Sequence, residues 1–568
     1  MKNVCSILFI WVFFLSIIQK NYLVAQSSLP KDWYLLDYDQ HKFHGISLDK
    51  VYEQVLKGRK SKTVIVAVLD SGVEADHEDL KENMWVNPKE IPGNGKDDDN
   101  NGYVDDIHGW NFIGGKDGRN VESDTYESTR LYAKLKYKYD NADPDKIASQ
   151  QKKEYDMFLK VKKEVEGRRK AAESNLEQMG QSEKFIMEAI QLTAIALGDR
   201  PLTAENIDSI EDKEEQSLVM GKKILLNILE EVPNITTITE IQNLLQKEFI
   251  DGRDHFEKEL NYSFNPDFDS RLIVGDRKDD VNERYYGNND VEGPAASHGT
   301  HVAGLIGAVR NNGKGINGIA DNVKIMSVRC VPDGDERDKD VANAIRYAVD
   351  NGAQIINMSF GKGYSPDKEA VDAAVKYAEK NDVLLIHAAG NGAANVDKVD
   401  NFPNNKFKKK KLFSSGTSKI WMEIGALAPK PAPDMIATFS NYGKKNVDVF
   451  SPGVAIYSTV PNNSYETMQG TSMASPIAAG VAAVIRSYFP TLTAKQVKEI
   501  LRKSAVHTNE RIKEPGTRKE VSMSDISNTG GMVNVYEAAK LASATKGKKK
   551  VKDWGDGMDI KQEKVIKP

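Results

Sequence analysis

Two cysteines in 568 residues exclude a disulfide framework. Cys5 lies in an opening apolar stretch. Cys330 sits in "VKIMSVRCV", a strand-like run in which a thiol serves as a small packing residue. Stability must therefore come from the core or from bound ions. Charge of one sign is scarce too: 78 basic against 83 acidic side chains leave a net −5, too little to favour nucleic acid or an anionic membrane surface. The lysine clusters "KFKKKK" (406–411) and "KGKKKVK" (546–552) read as a solvated loop and a tail.

Long apolar runs are nearly absent. The one at the start, Val4–Ile18, spans 15 residues, follows Lys2 and precedes a small residue at Ala25. It is too short for a spanning helix and has the pattern of a secretory signal, residues 1–25, cut after Ala25 despite the bulky Leu23. Cys5 is too early for lipid attachment. The protein is expected to be exported, to periplasm, cell surface or medium, with no integral membrane span after signal removal.

Composition divides the remainder. Residues 26–62 form an arm containing "DWYLLDYD", and 63–122 hold the β-branched run "VIVAVL" followed by Asp70-Ser71-Gly72. Residues 123–262 are rich in Lys and Glu. Met157, Phe158, Val161 and Val165 share a helical face there, as do Ile224, Leu225, Ile228 and Leu229, and then Ile241, Leu244, Leu245 and Phe249. This predicts an inserted, mainly α-helical subdomain. Over 263–543, strand-like and helical segments alternate, which predicts an α/β fold: a mainly parallel sheet with helices on both faces. Residues 544–568 are a short charged tail, expected to be disordered. In such sheets sites form at the carboxyl ends of the strands. Asp70, Ser359 and Asn391 each follow an apolar run, so they are expected on one edge.

Three segments carry chemistry: "VLDSG" with Asp70, "SHGTHVAG" with His298 and His301, and "GTSMASP" with Ser472. A serine hydroxyl needs an imidazole to take its proton, and the imidazole needs a carboxylate to hold its tautomer. A helix N-terminus at Ser472 would turn its N–H and the helix dipole toward a developing oxyanion, with Pro476 in the first turn. Serine is also a preferred N-cap, so Ser472 alone would read as a cap. His298 and His301, three apart, could both face the site. Metal binding by that pair is disfavoured, because "HGTH" lacks the glutamate of a zincin.

The order Asp…His…Ser in these surroundings resembles the subtilisin-like serine peptidases, or subtilases. "HGTHVAG" and "GTSMASP" are specific; "DSG" alone is weak. The resemblance implies a subtilisin-like catalytic domain formed by 63–122 and 263–543, with 26–62 as its N-terminal arm. It implies Asp70, His298 and Ser472 as catalytic residues, His301 as structural, and Asn391 with the Ser472 N–H as oxyanion hole. "INMSFG" looks like the substrate-binding strand with Ser359, Phe360 and Gly361, and "AAGN" like the S1 wall with Ala388, Ala389 and Gly390. "FSNYG" looks like family framework, and "NFPNNKF" is expected near S1. Polypeptides are the implied substrates, with no cofactor for catalysis.

The chain departs from the family in three places. Asp70 and His298 are 228 residues apart, and the 123–262 insertion accounts for it. That insertion reads equally as decoration, as a module for a protein partner, or as a gate. Only the short arm precedes Asp70, so folding without a separate propeptide domain is expected. "DDDNNGYVDD" places Asp97, Asp99, Asn101, Tyr103 and Asp105 at spacings that suit structural Ca²⁺, although His108 stands where an EF-hand has glutamate. An exported serine endopeptidase is the leading reading. A restricted processing protease gated by the insertion, or an inactive scaffold acting as a binding module, are the alternatives.

Overall fold

The computed structural model describes residues 29–212, 215–232, 234–408 and 416–549. The expected signal, 1–25, and most of the expected tail lie outside them. The chain forms two compact units: Ser128–Phe268, and Pro30–Glu127 together with the chain from Asp269 onward.

The larger unit is built on strands β1 (Val64–Asp70), β2 (Gly109–Asn111), β3 (Val323–Arg329), β4 (Ile355–Met358), β5 (Leu384–Ala388), β6 (Trp421–Leu427), β7 (Val449–Pro452), β8 (Ile456–Val460), β9 (Ser464–Met468), β10 (Val506–His507), β11 (Ile512–Lys513), β12 (Glu520–Val521) and β13 (Gly531–Met532). Nine of them form one sheet in the order β10-β13-β7-β6-β5-β4-β1-β3-β2. Every pairing in it is parallel except β10 with β13. A parallel sheet is covered on both faces, which is why β1, β4, β5 and β6 are mostly apolar and buried almost throughout, with Asn357, His387 and Glu423 as buried polar exceptions.

Register sets the edge. Leu69 pairs with Met358, and Met358 with His387. The next residues outward, Asp70, Ser359 and Ala388, therefore stand side by side at the carboxyl ends. Helices Ser297–Gly307 and Thr471–Tyr488 pack against each other, and the second lies across β4–β7. The arm belongs to this unit: Trp33 and Tyr34 are buried, the Trp33 indole donates to Ala455 O (3.1 Å) and the Tyr34 hydroxyl to Tyr457 O (3.1 Å).

The smaller unit is helical. Helix Lys152–Leu197 runs for 46 residues and buries Phe158, Val161, Val165, Ala172, Met179, Ile186, Ile190, Thr193 and Leu197. That three-and-four spacing keeps one seam facing its neighbours, helices Gln216–Glu231 and Ile238–Lys258. Ile224, Leu225, Ile228, Ile241, Leu245 and Phe249 complete the core. Met157, assigned to the same face as Phe158, is instead exposed, because the seam begins one residue later. Among the described residues, no helix is long and apolar enough to cross a membrane.

Candidate active site

Asp70 ends β1 and is buried. Its Oδ1 accepts from the Ser71 N–H (2.8 Å) and from His298 Nδ1 (2.7 Å). That contact places the imidazole proton on Nδ1 and leaves Nε2 as a proton acceptor. His298, on helix Ser297–Gly307, is 38 % exposed. Desolvation pulls its pKa down, but the charge and hydrogen bond of Asp70 outweigh this and hold it above the ordinary 6.5.

Glycine makes this approach feasible. A Cβ on Gly299 would lie 2.1 Å from Gly72 O and 3.2 Å from Asp70 Cβ. Gly72 has φ +127° and would place a Cβ 1.9 Å from Glu292 O. Gly299 lets the helix close on the end of β1, and Gly72 lets the chain after β1 pass the Val291–Glu292 backbone.

The structure separates the two histidines. His301 is fully buried, and its Nε2 donates to Ile456 O (3.0 Å) and Glu466 O (3.3 Å) on the β8–β9 hairpin. Burial, helped by the neighbouring His298, pushes its pKa down to about 3, so it stays neutral. It ties the helix to the hairpin.

Ser472 is the second residue of helix Thr471–Tyr488, whose N-cap is Gly470. Capping therefore does not account for this serine. Its Oγ donates to Ser359 O (3.1 Å). Pro476 sits inside the helix, in its second turn rather than the expected first. Lacking an N–H, it leaves the Ser472 carbonyl without its i+4 donor, and Ser359 Oγ supplies one at 2.9 Å. Asn357, on β4, donates to Ser359 Oγ (3.0 Å) and accepts from Ser475 Oγ (2.7 Å). A missing backbone donor thus binds the helix start to the end of β4.

Asn391 follows β5 and is exposed. Its Oδ1 accepts from the Thr471 N–H and from Thr471 Oγ1, both at 2.9 Å, and Thr471 Oγ1 accepts from the Gly390 N–H (3.0 Å). With the oxygen so held, Nδ2 is the free donor end. A Cβ on Gly470 would stand 3.3 Å from Asn391 Nδ2 and 3.5 Å from the Ser472 nitrogen, so both donors open onto the same space.

Ala388 and Ala389 are buried. Ala389 O accepts from Asn441 Nδ2 (2.7 Å) and Asn401 Nδ2 (3.2 Å), while Asn441 Oδ1 holds the Gly392 and Ala394 N–H groups. Ser359 is buried, Phe360 half-buried and Gly361 exposed. Asn357, Asn401, Asn441, Thr471 and Ser475 brace the site without having been singled out individually. Their only signal is a carboxamide or hydroxyl within or beside a recognised segment.

The acidic loop is arranged differently from the EF-hand spacing. Asp97 and Asp99 converge with Glu90, their carboxylate oxygens within 4.8 Å of one another. Asp105 is not part of that group: its oxygens accept from the Asn94 (3.2 Å) and Gly95 (2.8 Å) N–H groups. Asn101 spends Oδ1 on the Tyr103 N–H (2.8 Å) and Nδ2 on Asp106 (3.0 Å). His108 donates to or accepts from no carboxylate in this cluster; its Nδ1 meets Trp85 O (2.9 Å). Glu90 is 7 % exposed, and its Oε2 is buried with no hydrogen-bond partner among the described residues.

A parallel sheet whose carboxyl edge joins a carboxylate-bound imidazole, a serine at a helix start and two convergent N–H donors has the composition of a serine acyl-transfer site. Comparison with known proteins gives the family. Residues 61–533 match the subtilase family, and the chain belongs to it. It is 37% identical over 224 residues to a thermophilic serine proteinase of Bacillus sp. (strain AK1), covering 39% of this chain and 49% of that one. Subtilisin DY of Bacillus licheniformis is 35% identical over 214 residues, 37% of this chain and 70% of that one. A cell wall-associated protease of Bacillus subtilis (strain 168) is 36% identical over 234 residues, 41% of this chain and 24% of that one. The chain thus spans about half the length of the first of these relatives and a quarter of the last.

Proposed function

We propose that this protein is an exported serine endopeptidase. His298, oriented by Asp70, takes the proton of Ser472 Oγ through its free Nε2 as that oxygen attacks a peptide carbonyl. Asn391 Nδ2 and the Ser472 N–H hold the tetrahedral oxyanion. His298 then protonates the leaving amine, and water hydrolyses the acyl-enzyme by the reverse sequence. Ser359, Phe360 and Gly361 pair with an extended substrate, and Ala388, Ala389 and Gly390 line its S1 pocket. The observation that carries this reading is the 2.7 Å contact of Asp70 with His298, a pair brought together across 228 residues. The names of the relatives, all proteinases, support it.

Calcium is the ion that the Glu90–Asp97–Asp99 cluster suits: three hard oxygen donors, one a buried carboxylate oxygen with no protein partner. Its role would be structural. The apolar stretch Val4–Ile18 supports export.

The full chain, wild type and Ser472→Ala, treated with a fluorophosphonate and with a denatured protein substrate, tests the reading. A mass adduct and cleavage in the wild type alone are expected. No adduct in folded wild type, with calcium present, would leave a binding scaffold.

A further inference from the structure

A charged run, "DERDKD" (335–340), leads from the loop after β3 into the first turn of the helix Asp338–Asp350, and its Glu336, Asp338, Lys339 and Asp340 are all buried. Buried charge is costly unless paired. Arg337 makes a bidentate pair with Asp124 (2.9 and 3.0 Å) and reaches Ser270 Oγ (3.3 Å). Asp340 pairs with Arg271 (2.7 Å), and Asp338 with Lys362 (2.9 Å). Asp124 and Glu127 close the segment that leads into the helical unit; Ser270 and Arg271 open the one that leads out of it. Both roots of the insertion are therefore held on one helical turn of the larger unit. The backbone joins in: the Asp124 N–H donates to Asp333 O (2.9 Å) and the Asp333 N–H to Glu122 O (2.8 Å). Gly334, at φ +146°, would place a Cβ 2.2 Å from Asp124 O, so only glycine permits this approach.

Lys362 stands at the centre. It directly follows Ser359-Phe360-Gly361, and its side chain is 1% exposed. Its ammonium group meets Glu127 Oε2 (2.7 Å), Asp338 Oδ1 (2.9 Å) and the Glu336 carbonyl (2.7 Å). Its backbone N–H and C=O pair with Phe402 (2.8 and 2.9 Å). Asp338 Oδ2 in turn accepts from Ser365 Oγ (2.9 Å) and the Asp367 N–H (2.8 Å). The chain beyond Gly361 is thus held by side chain and main chain at once. Glu127, the last residue before Ser128, supplies one of the three anchors.

We propose that Lys362 is a positioning residue for substrate: through Glu127 it fixes the Ser359–Gly361 segment to the root of the helical insertion. Binding of an extended peptide then depends on Lys362, while the chemistry at Ser472 does not. This rests on the reading of Ser359–Gly361 as the strand that pairs with substrate.

The test uses the full chain as wild type, Lys362→Met and Glu127→Gln, measuring KM and kcat on an extended peptide, the rate of Ser472 labelling by a small fluorophosphonate, and Tm. Both variants are expected to raise KM by about tenfold with little change in kcat, because a displaced segment costs binding geometry. Labelling should stay within about twofold of wild type, since it does not use the peptide-binding segment. Lys362→Met leaves two carboxylates facing each other and lowers Tm as well. Glu127→Gln removes the charge that holds the ammonium without changing side-chain size, while Asp338 still pairs with Lys362 (2.9 Å), so it perturbs the fold less than Lys362→Met and its KM decides the matter. An unchanged KM in folded Glu127→Gln, or labelling that falls in step with kcat/KM, overturns the role of Lys362. Failure of the wild type itself to label overturns the reading beneath it, and this proposal with it.

Discussion

Replacing Thr471 by valine removes one hydroxyl of nearly unchanged shape, and the structure says what goes with it. The hydroxyl accepts from the Gly390 N–H at 3.0 Å and donates to Asn391 Oδ1 at 2.9 Å. After Thr471→Val, Asn391 Oδ1 keeps only the Thr471 backbone N–H, and the carboxamide gains freedom to rotate its Nδ2 away. The Gly390 N–H, at the end of the S1 wall, loses its acceptor. Losing one such bond amounts to about 1 kcal/mol, and leaving a part-buried donor unpaired to about 1–3 kcal/mol. If about 1.4 kcal/mol of that is felt in the transition state alone, kcat falls by about tenfold while KM hardly moves. Thr471→Ser keeps the hydroxyl and should stay near wild type. Removing the Asn391 donor itself should cost about 10²–10³ in turnover, a figure taken over from subtilisin rather than worked from this geometry. Steady-state kinetics on a chromogenic peptide, with Tm measured alongside, separates these cases. A folded Thr471→Val enzyme with unchanged kcat, or with the whole loss in KM, would refute the idea that Thr471 orients Asn391.

Three further outcomes are expected. The general base must be neutral, and Asp70 holds the His298 pKa above 6.5, so kcat/KM should rise with pH through one ionisation centred above that value; Asp70→Asn should move the midpoint down and cut turnover. His301 has a folded-state pKa of about 3 against an ordinary 6.5, so the unfolded chain takes its proton first. Its contribution to stability is complete above pH 6.5 and is lost as pH falls toward 3, by about 1.4 kcal/mol per unit; His301→Gln should flatten that part of the denaturation profile. Calcium at a hundredfold excess over Kd should stabilise the wild type by about 2.7 kcal/mol, and Glu90→Gln should abolish the increment, read as Tm with and without chelator.

Short-range pattern was enough for part of this protein. The largely apolar runs of β1, β4 and β5 imply a sheet covered on both faces, and the polar residue that follows them implies a position at the carboxyl edge. The spacing of Phe158, Val161 and Val165 implies a helix, because each periodicity is a local property of the chain. Asp70, His298, Asn391 and Ser472 stood out by type and neighbours. What those residues bond to was another matter. That His298 meets Asp70 while His301 turns to the β8–β9 hairpin depends on which side of one helix faces which strand end, and a separation of three residues leaves both open. The spacing of "DDDNNGYVDD" suggested Asp105 and Asn101 as ligands. In the folded loop Asp105 accepts from the backbone of Asn94 and Gly95, and Glu90, from outside the pattern, joins Asp97 and Asp99. Pro476 releases a carbonyl that Ser359 Oγ, just beyond the end of β4, satisfies. Nothing in the local sequence distinguishes Lys362 from other lysines; its burial against Glu127 and Asp338 is visible only in the fold. Sequence records donors, acceptors and periods; the choice of partner among groups hundreds of residues apart is made by packing, and only the tertiary structure contains it.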